Sequence, residues 1–475
     1  MDPEEYRRAA YASIDYIVDY YKTIAERQVV SDVEPGYLRQ LLPSEMPQEP
    51  ESWDDIHKDF DSHIVPGLTH WQSPNFLAFF PANVSFPSIL GELYSAAFSA
   101  PAFNWICSPA ITELETIVLD WLAKQMGLPS EFLSDTEGGG VIQGSASEAV
   151  VTTMVAARDR YLRDAIASKY STEEEKEAAI AAARGKLVAF ASDQTHSSTQ
   201  KAALIAGVKF IAIKTYPEDD YALTGAALAK AFKEAEEKGL LPFYLTASLG
   251  TTAICAIDKF VEIGEATKDY PHTWKHIDAA YSGAALICPE YQHYLAGVEY
   301  FDSCLYVRKR KYLTDALSIT PSYLRNAASD SGLVIDYRDW QIPLGRRFRS
   351  LKIWFVMRTY GAKGMQEHVR KTLGIGMHFT KLIQAHPDVF SIATPPRFGL
   401  TVFQVVPSKP EETVNDVTMK VANRINNEKV IFLTASTVDG KDCIRVVTGS
   451  PWATDKAMSE AFQYILRVSE EERQT

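Results

Sequence analysis

The segment His276–Gly283 reads HIDAAYSG and ends a short apolar run that predicts a β-strand over Thr273–Asp278. A carboxylate at the end of a strand, followed by two alanines, is unusual for packing alone. It is expected where Asp278 pairs with the protonated nitrogen of a pyridine ring, because that ion pair keeps the ring able to accept electrons. The small side chains of Ala279 and Ala280 leave room for a flat ring. The segment therefore predicts a binding site at the carboxyl end of a strand.

Strands and helices alternate along the chain before this segment. Further β-rich runs lie at Leu187–Ala191, Phe210–Lys214 and Pro242–Ser248, and helical stretches such as 112–126 and 171–184 accompany them. This alternation predicts an α/β fold with a mostly parallel central sheet flanked by helices.

After about residue 350 the pattern changes to that of a smaller α+β unit. Its predicted elements are a strand at Leu400–Val406, a helix at 410–427, a hairpin around Asp439-Gly440 and a last helix near 453–470. We therefore expect three parts: an N-terminal helical segment (1–82), a large α/β domain (83–350) and a small C-terminal domain (351–475).

The glycine-rich segment Gly138–Ala149 reads GGGVIQGSASEA. Ser145 and Glu148 have the spacing of a capping box, so a helix should begin between them. A glycine-rich turn that leads into a helix presents free N–H groups to a phosphate, although an ordinary capped helix has the same pattern. The segment matches neither of the common nucleotide-binding glycine motifs.

Two more loops follow predicted strands. SDQTHSS (Ser192–Ser198) places His196 just after one strand, and SLGTTA places Thr252 just after another. Ligands of open α/β sheets bind at the carboxyl ends of the strands, so both residues are candidates for the same cleft as Asp278.

An aromatic stretch, HWQSPNFLAFFPANVSFPS, runs from His70 to Ser88. Aromatic side chains at this density either fill a core or line an apolar pocket. Near the N-terminus, apolar residues recur at helical spacing between Tyr6 and Ile24, and this stripe must be buried on its own domain or on a partner subunit.

Together these motifs resemble those of the group II pyridoxal phosphate (PLP) decarboxylases, and most of all the aromatic-L-amino-acid decarboxylases. The resemblance extends from about residue 2 to about residue 468 and also includes PGLTHWQSPNF, SPAITELE and DWQIPLGRRFRSLKIWF. It implies the type I fold of PLP-dependent transferases, PLP as cofactor, and a homodimer. It also implies decarboxylation of an aromatic L-amino acid to the arylalkylamine and CO2.

The resemblance assigns roles by position. Cofactor contacts are implied for Ala146, Ser147, His196, Thr252, Asp278 and Ala280. The first two would hold the phosphate, and His196 would stack on the ring and act in catalysis.

Substrate contacts are implied for Trp71, Phe79, Phe80, Pro81, Ala82 and Phe103. Phe103 would come from the second subunit. Phe79 and Ala82 stand where Tyr and Thr are usual in the animal enzymes, so tryptophan, 5-hydroxytryptophan, tyrosine and DOPA all remain candidate substrates.

Tyr323, in TPSYLRN, matches the tyrosine that protonates the substrate carbon after CO2 leaves. Aldehyde synthases of the family tend to have Phe there. Tyr323 therefore favours simple decarboxylation, with aldehyde formation as the alternative.

One family motif is absent. Relatives carry Asn-x-His-Lys-Trp after the HIDAAYSG segment, and its lysine attaches the cofactor covalently, whereas this chain runs GVEYFDSCLYVRKRKYLTDAL from Gly297 to Leu317. The joint falls around Asp302-Ser303-Cys304. Lys309 and Lys311 lie beyond it in a basic run, which is typical of a solvated surface.

Three explanations are open for the missing segment. The cellular polypeptide contains a segment that this sequence lacks; or the chain is a genuinely shorter splice or gene variant; or the protein is a non-catalytic relative with a binding role. The residues around the joint otherwise resemble those of an active enzyme, which favours the first.

Composition excludes several other classes of protein. The formal net charge of -13 argues against nucleic-acid and anionic-membrane partners. Five widely spaced cysteines without a C-x-x-C pair predict neither a disulfide framework nor a thiolate metal site. The absence of a signal-peptide pattern and of a long apolar run predicts a cytoplasmic protein.

Overall fold

The computed structural model describes residues 1–304, 306–319, 328 and 334–474. The chain divides into two compact units, one of Ser85–Arg370 and one of Met1–Val84 with Lys371–Thr475. The three-part division expected from the sequence stays a prediction.

The helices are α1 Pro3–Lys22, α2 Tyr37–Leu41, α3 Trp53–Asp59, α4 Phe86–Ala97, α5 Pro109–Met126, α6 Ala146–Tyr161, α7 Glu173–Arg184, α8 Ser198–Ala206, α9 Gly225–Glu237, α10 Phe260–Ala266, α11 Lys311–Leu317, α12 Arg349–Gln384, α13 Val414–Glu428 and α14 Asp455–Gln474. Gly361 interrupts α12 with a φ of 61° and a ψ of 176°. None of the helices in the described ranges combines the length and the apolar character that a membrane crossing requires.

The strands are β1 Gly139–Gly140, β2 Leu187–Ser192, β3 Lys209–Ile213, β4 Leu241–Ser248, β5 Trp274–Asp278, β6 Tyr306–Val307, β7 Phe390–Ile392, β8 Leu400–Val405, β9 Thr434–Val438 and β10 Lys441–Val447.

A parallel sheet of order β3-β2-β4-β5 forms the centre of the unit Ser85–Arg370. Every residue of β2 is buried, as is almost every residue of β4. Their sequences therefore read as continuous apolar runs, as expected where helices cover both faces of a parallel sheet. The four strands predicted from the sequence are confirmed to within one or two residues at each end.

The outer side of β5 is paired much more sparsely. β1 and β6 form a short antiparallel pair, and Ser303 forms isolated bridges to His276 in parallel and to Val307 in antiparallel register. The neighbouring Asp302 donates its N–H to the Lys275 carbonyl at 2.9 Å. The joint predicted from the family resemblance lies here. Asp302 and Ser303 thus close this side of the sheet at the predicted joint.

Ser303 is held in this position by its side chain as well as its backbone. Its Oγ accepts from Trp274 Nε1 at 2.8 Å and lies 2.8 Å from His276 Nδ1. Its carbonyl oxygen accepts from the Ile277 backbone N–H at 2.8 Å. Because Ser303 is fully buried, each of these bonds replaces one that water would otherwise provide.

The other unit contains an antiparallel sheet of order β7-β8-β10-β9. Asp439 and Gly440 have φ angles of 51° and 77° and connect β9 to β10, the backbone geometry that a two-residue hairpin requires. Helices α13 and α14 contribute apolar side chains to the same core as this sheet. The predicted strand, hairpin and two helices of the C-terminal region are confirmed.

Helix α1 buries only part of its apolar stripe. Asp2 caps it by accepting from the N–H groups of Glu4 and Glu5. Beyond its end Ile24 is buried, and Tyr21 stacks on Trp452 with the ring centroids 4.5 Å apart. Nearer the N-terminus, however, Tyr6 and Ile14 are 55% and 44% exposed, so the stripe has an uncovered half.

Candidate active site

The predicted site residues of the larger unit follow the carboxyl ends of adjacent strands. β2 leads into the loop with His196, β4 into the turn with Thr252, and β5 ends at Asp278 itself. Ser248 and Asp278 are direct partners across β4 and β5. Parallel strands bring their carboxyl ends to one edge, so the three loops share that edge as the sequence predicts.

Asp278 is half-buried at this edge. Its Oδ1 accepts from the Ala280 backbone N–H at 3.1 Å. Burial raises the pKa of the Asp278 carboxyl, while the Ala280 N–H and the nearby charge of His196 act in the opposite direction. A carboxylate in such a place is stabilised by a cationic partner, and a protonated pyridine nitrogen is one.

His196 is exposed at the end of the loop that follows β2. Its Nδ1 accepts from the backbone N–H of Ser198 at 3.1 Å. In the neutral ring the proton is therefore on Nε2. The bond fixes the ring against the first turn of α8 and leaves the Nε2–H to be offered to a ligand.

The glycine-rich turn leads directly into α6. Ser145 Oγ accepts from the backbone N–H of Glu148 at 3.1 Å, which is half of the predicted capping box. The other half differs, because the Glu148 carboxylate accepts from Gly144 N at 2.8 Å instead of from Ser145. The N–H groups of Ala146 and Ser147 in the first helical turn have no partner within the helix, and they are available to an anion.

Arg349 lies beside this turn and was not identified from the sequence. Its Nη1 donates to the carbonyl of Ile142 at 3.3 Å. A Cβ placed on Gly144 would lie 3.7 Å from Arg349 Nη2. A guanidinium next to an anion-binding turn adds positive charge to it. The basic segment GRRFR could have indicated an arginine near the anion-binding turn. It contains three arginines, however, and the sequence does not distinguish Arg349 from the other two.

The turn with Thr252 packs tightly against the loop that follows Asp278. Gly250 has a φ of 90°, and a Cβ there would come within 2.0 Å of Ser282 Oγ, so only glycine fits. Thr251 Oγ1 accepts from Ala256 N at 2.9 Å and closes the turn. Thr252 is half-buried at its rim.

A second aspartate supports the end of β4 and was also missed. Asp258 is buried, and its two oxygens accept from Leu223 N and Ser248 N, each at 2.7 Å. Burial raises the pKa of Asp258 to about 7, although both N–H groups lower it. Its bond to Ser248 fixes the strand end next to Asp278, so its role is structural.

The larger unit therefore fits most of a PLP molecule. The first turn of α6 can bind an anion, and the His196 ring and the Asp278 carboxylate at one sheet edge could contact a pyridine ring. The larger unit does not fit PLP in one respect: the described residues beside Asp278 at this edge provide no lysine amine to react with the aldehyde group. Lys275 is the lysine nearest to Asp278 in the chain, yet strand alternation points it to the opposite face of the sheet.

The predicted substrate residues fall in both units. In the unit with Met1–Val84, Trp71 stacks on Phe76 and Phe79 with centroid distances of 4.5 and 5.6 Å. Phe76 is buried, whereas Trp71 and Phe79 are 42% and 45% exposed. The aromatic stretch thus both fills a core and presents an aromatic surface. The guanidinium of Arg445 lies 5.4 Å from the Phe80 ring centroid.

Pro81 and Ala82 are fixed by their own unit. A Cβ on Gly449 would lie 2.3 Å from Pro81 Cγ, and Gln72 Nε2 donates to the Ala82 carbonyl at 2.6 Å. In the larger unit, Phe103 is half-buried and its carbonyl accepts from Arg338 N at 3.4 Å. Tyr323 lies outside the described residues.

Residues 35–406 match the family described as the pyridoxal-dependent decarboxylase conserved domain. Tryptophan decarboxylase 2 of Oryza sativa subsp. japonica is 41% identical over 485 residues, covering 98% of this chain and 94% of that protein. Phenylacetaldehyde synthase of Arabidopsis thaliana is 42% identical, covering 98% and 96%.

The crystal structure of Oryza sativa TDC with PLP and tryptamine has a TM-score of 0.93 at 36% identity and covers 99% of both chains. The alignment of 485 residues with tryptophan decarboxylase 2 is longer than this chain, so that relative has positions with no counterpart here. The family match over residues 35–406 and the structural similarity over nearly the whole chain agree. The chain therefore belongs to the family of pyridoxal-dependent decarboxylases, with PLP as cofactor and the type I fold.

Proposed function

We propose that this PLP-dependent decarboxylase of aromatic amino acids converts its substrate to the arylalkylamine and CO2. The observation that carries the proposal is the Asp278 carboxylate, half-buried at the sheet edge that also holds His196. A site that needed only to bind an anion would not place a carboxylate there.

PLP, when bound, supplies the sink for the electrons of the bond that breaks. Asp278 would hold a proton on the pyridine nitrogen, which its half-buried position favours because charges attract more strongly away from water. The N–H groups at the start of α6 would bind the phosphate, with the Arg349 guanidinium nearby. His196 would cover one face of the ring and keep water from it.

For the substrate we propose an aromatic L-amino acid among tryptophan, 5-hydroxytryptophan, tyrosine and DOPA. The partly exposed rings of Trp71 and Phe79, stacked on each other, present a flat apolar surface that suits another aromatic ring. Phe79 carries no hydroxyl, so this position provides no hydrogen bond to a substrate hydroxyl group.

Tyr323 is the proposed proton donor to the substrate Cα. Tyr323→Phe should leave PLP binding intact and slow amine formation roughly 100- to 10,000-fold, because one positioned acid is lost. Chromatography of the products, with Tyr216→Phe as an exposed control, measures this. Unchanged amine production would remove Tyr323 from the role.

Aldehyde formation is the second candidate, because phenylacetaldehyde synthase is as similar to this chain as the decarboxylases are. The same product analysis separates the two reactions. Amine as the main product of the unmodified protein supports our proposal, and aldehyde as the main product replaces it with the alternative.

We also propose a homodimer in which the exposed half of the α1 stripe is covered. Tyr6, Tyr11 and Ile14 are 55%, 65% and 44% exposed, a row of apolar side chains that an isolated chain leaves in water. Deleting residues 1–25 should lower solubility and dimer content in sedimentation experiments. A soluble, fully active monomer after the deletion would contradict this. The cytoplasmic location stays a prediction.

A further inference from the structure

The lysines of the larger unit lie within the described residues, so those nearest the site and the joint can be compared with Asp278. Lys275 is half-buried on β5, and burial lowers its pKa. It would be a reactive amine, but it stands three residues before Asp278 and therefore on the other face of the sheet. Asp278 shares its face with His276 instead.

The lysines that follow the joint are engaged elsewhere. Lys309 Nζ lies 3.8 Å from Glu137, and Lys311 Nζ lies 2.7 Å from Asp315. Both side chains are mostly exposed. At the carboxyl edge, Lys214 Nζ lies 3.5 Å from Asp193; it directly follows β3, which is separated from β5 by β2 and β4.

Side-chain hydrogen bonds hold the segments on either side of the joint, so Lys309 cannot move toward Asp278 without breaking them. Before the joint, the buried Arg160 donates to Asp302 at 2.9 Å and to the His272 carbonyl at 3.1 Å. After it, Arg310 donates to the carbonyls of Ser134 and Gly138 at 3.0 and 3.1 Å. The guanidinium groups of the buried Arg160 and the half-buried Arg310 thus fix the two flanks independently.

Backbone hydrogen bonds also connect the described residues around the joint. The Cys304 N–H donates to the Tyr306 carbonyl at 2.8 Å, and the Arg308 N–H donates to the Asp302 carbonyl at 3.0 Å. Moving Lys309 toward Asp278 would break these bonds and bury a charge that now pairs with Glu137 in solvent. A lost hydrogen bond costs about 0.5–1.5 kcal/mol, and more where a buried group is left unsatisfied, so this rearrangement is disfavoured.

We propose that this 475-residue chain binds its cofactor without a covalent bond, and that it therefore accepts pyridoxamine 5′-phosphate about as well as PLP. The two molecules share the phosphate, the ring and the pyridine nitrogen, and they differ only at the carbon that a lysine would engage. The contacts assigned to α6, His196 and Asp278 do not involve that carbon. The inference rests on the proposed site.

The experiment uses the full chain, with its intact mass of 53.0 kDa and the contiguous peptide spanning Glu299 to Arg308 first verified by mass spectrometry. Equilibrium dialysis then measures the dissociation constants of PLP and pyridoxamine 5′-phosphate. We expect values within roughly tenfold of each other, a difference of about 1.4 kcal/mol or less. A much weaker affinity for the amine form would overturn the inference.

A second readout is chemical. The complex with one equivalent of PLP is treated with borohydride, unfolded and weighed, and we expect the mass of the unlabelled polypeptide. A stoichiometric phosphopyridoxyl label on any single lysine, whether Lys275, Lys309 or Lys311, would overturn the inference. Lys309→Arg and Lys311→Arg should leave both dissociation constants unchanged.

Asp278→Asn is the matched site variant. It should weaken PLP and pyridoxamine 5′-phosphate by the same factor, roughly 10- to 100-fold, because a hydrogen bond to a charged group is lost in both complexes. A weakening confined to one of the two molecules would contradict a shared, non-covalent binding mode.

The outcomes separate this inference from the proposed function. A stoichiometric covalent label with normal CO2 release refutes the inference alone. Reversible binding of both molecules, without CO2 release from any aromatic amino acid, supports the inference and refutes the function for this chain. Failure to bind either molecule refutes both.

Discussion

The two sides of β5 differ in how many of its residues pair with a neighbouring strand. On the inner side five residues of β5 pair with β4, from Trp274 to Asp278. On the outer side, among the described residues, the backbone of Asp302-Ser303 continues the sheet. The proposed contacts to the ring and the pyridine nitrogen lie on the complete side, and the lysine motif implied by the family resemblance would lie on the outer side. Cofactor binding and covalent attachment would thus depend on different parts of one sheet.

The largest expected effect comes from completing the outer side. A chimera that receives, after Ser303, the segment that rice tryptophan decarboxylase 2 has there should attach PLP covalently. Borohydride treatment should then leave a phosphopyridoxyl label on the inserted lysine, and decarboxylation should rise by at least about 100-fold. The same insertion with its lysine replaced by alanine is the control. An unlabelled, unimproved chimera would show that the outer side lacks more than the lysine.

The next effect tests the inner side. Asp278→Ala should lower decarboxylation roughly 100- to 1,000-fold or more, because the pyridine nitrogen loses the group that keeps it protonated. Folding should be unharmed, since burial raises the pKa of this carboxyl and its charged form therefore costs stability at neutral pH.

Asp258→Asn is the informative contrast to that variant. It replaces one of the two carboxylate oxygens that accept from backbone N–H groups with an NH2 group, and it should lower the thermal midpoint while the folded fraction keeps its activity. Near-normal activity of Asp278→Ala, or a thermal midpoint lowered as much as in Asp258→Asn, would put Asp278 among the structural residues.

The smallest effect concerns the strand between the two sides. Burial lowers the pKa of His276 to about 4, from 6.5 in the unfolded chain. The unfolded state therefore takes up the proton first as the pH falls, and the stability present above about pH 6.5 is lost progressively toward pH 4. From pH 7.5 to pH 5 the loss should be roughly 2 kcal/mol.

Urea unfolding at the two pH values measures this loss. His276→Asn, which does not titrate in this range, should show a smaller decrease in stability between them than the unmodified chain. An equal decrease in both proteins would assign the acid sensitivity to other groups.

Local sequence signals predicted the scaffold well. The buried runs at β2, β4 and β5 and the start of α6 after Ser145 each depend on neighbouring residues, and all four were found. The placements of Asp258 and Arg349 were not predicted, because their partners lie 10 to more than 200 positions away in the chain.

The partial burial of the aromatic stretch was also beyond sequence reasoning. Phe76 and Phe79 have the same side-chain chemistry, and both rings lie near Phe432 with centroid distances of 5.7 and 6.1 Å, yet one is buried and the other is 45% exposed. The sequence did reveal the position of the joint. It could not reveal that Ser303 would bond to Trp274 and His276 at once, since that depends on the three-dimensional approach of two strands.

The short segment that pairs with the outer side of β5 also affects the tendency of the protein to aggregate. An uncovered strand edge is a template on which another chain can pair, and proteins normally shield such edges. Here the shield is Asp302-Ser303, held by Arg160. Heat or a mutation that displaces this guanidinium would uncover β5, the end strand of the buried parallel sheet. The purified protein would then be lost by intermolecular β-pairing before its helices melt.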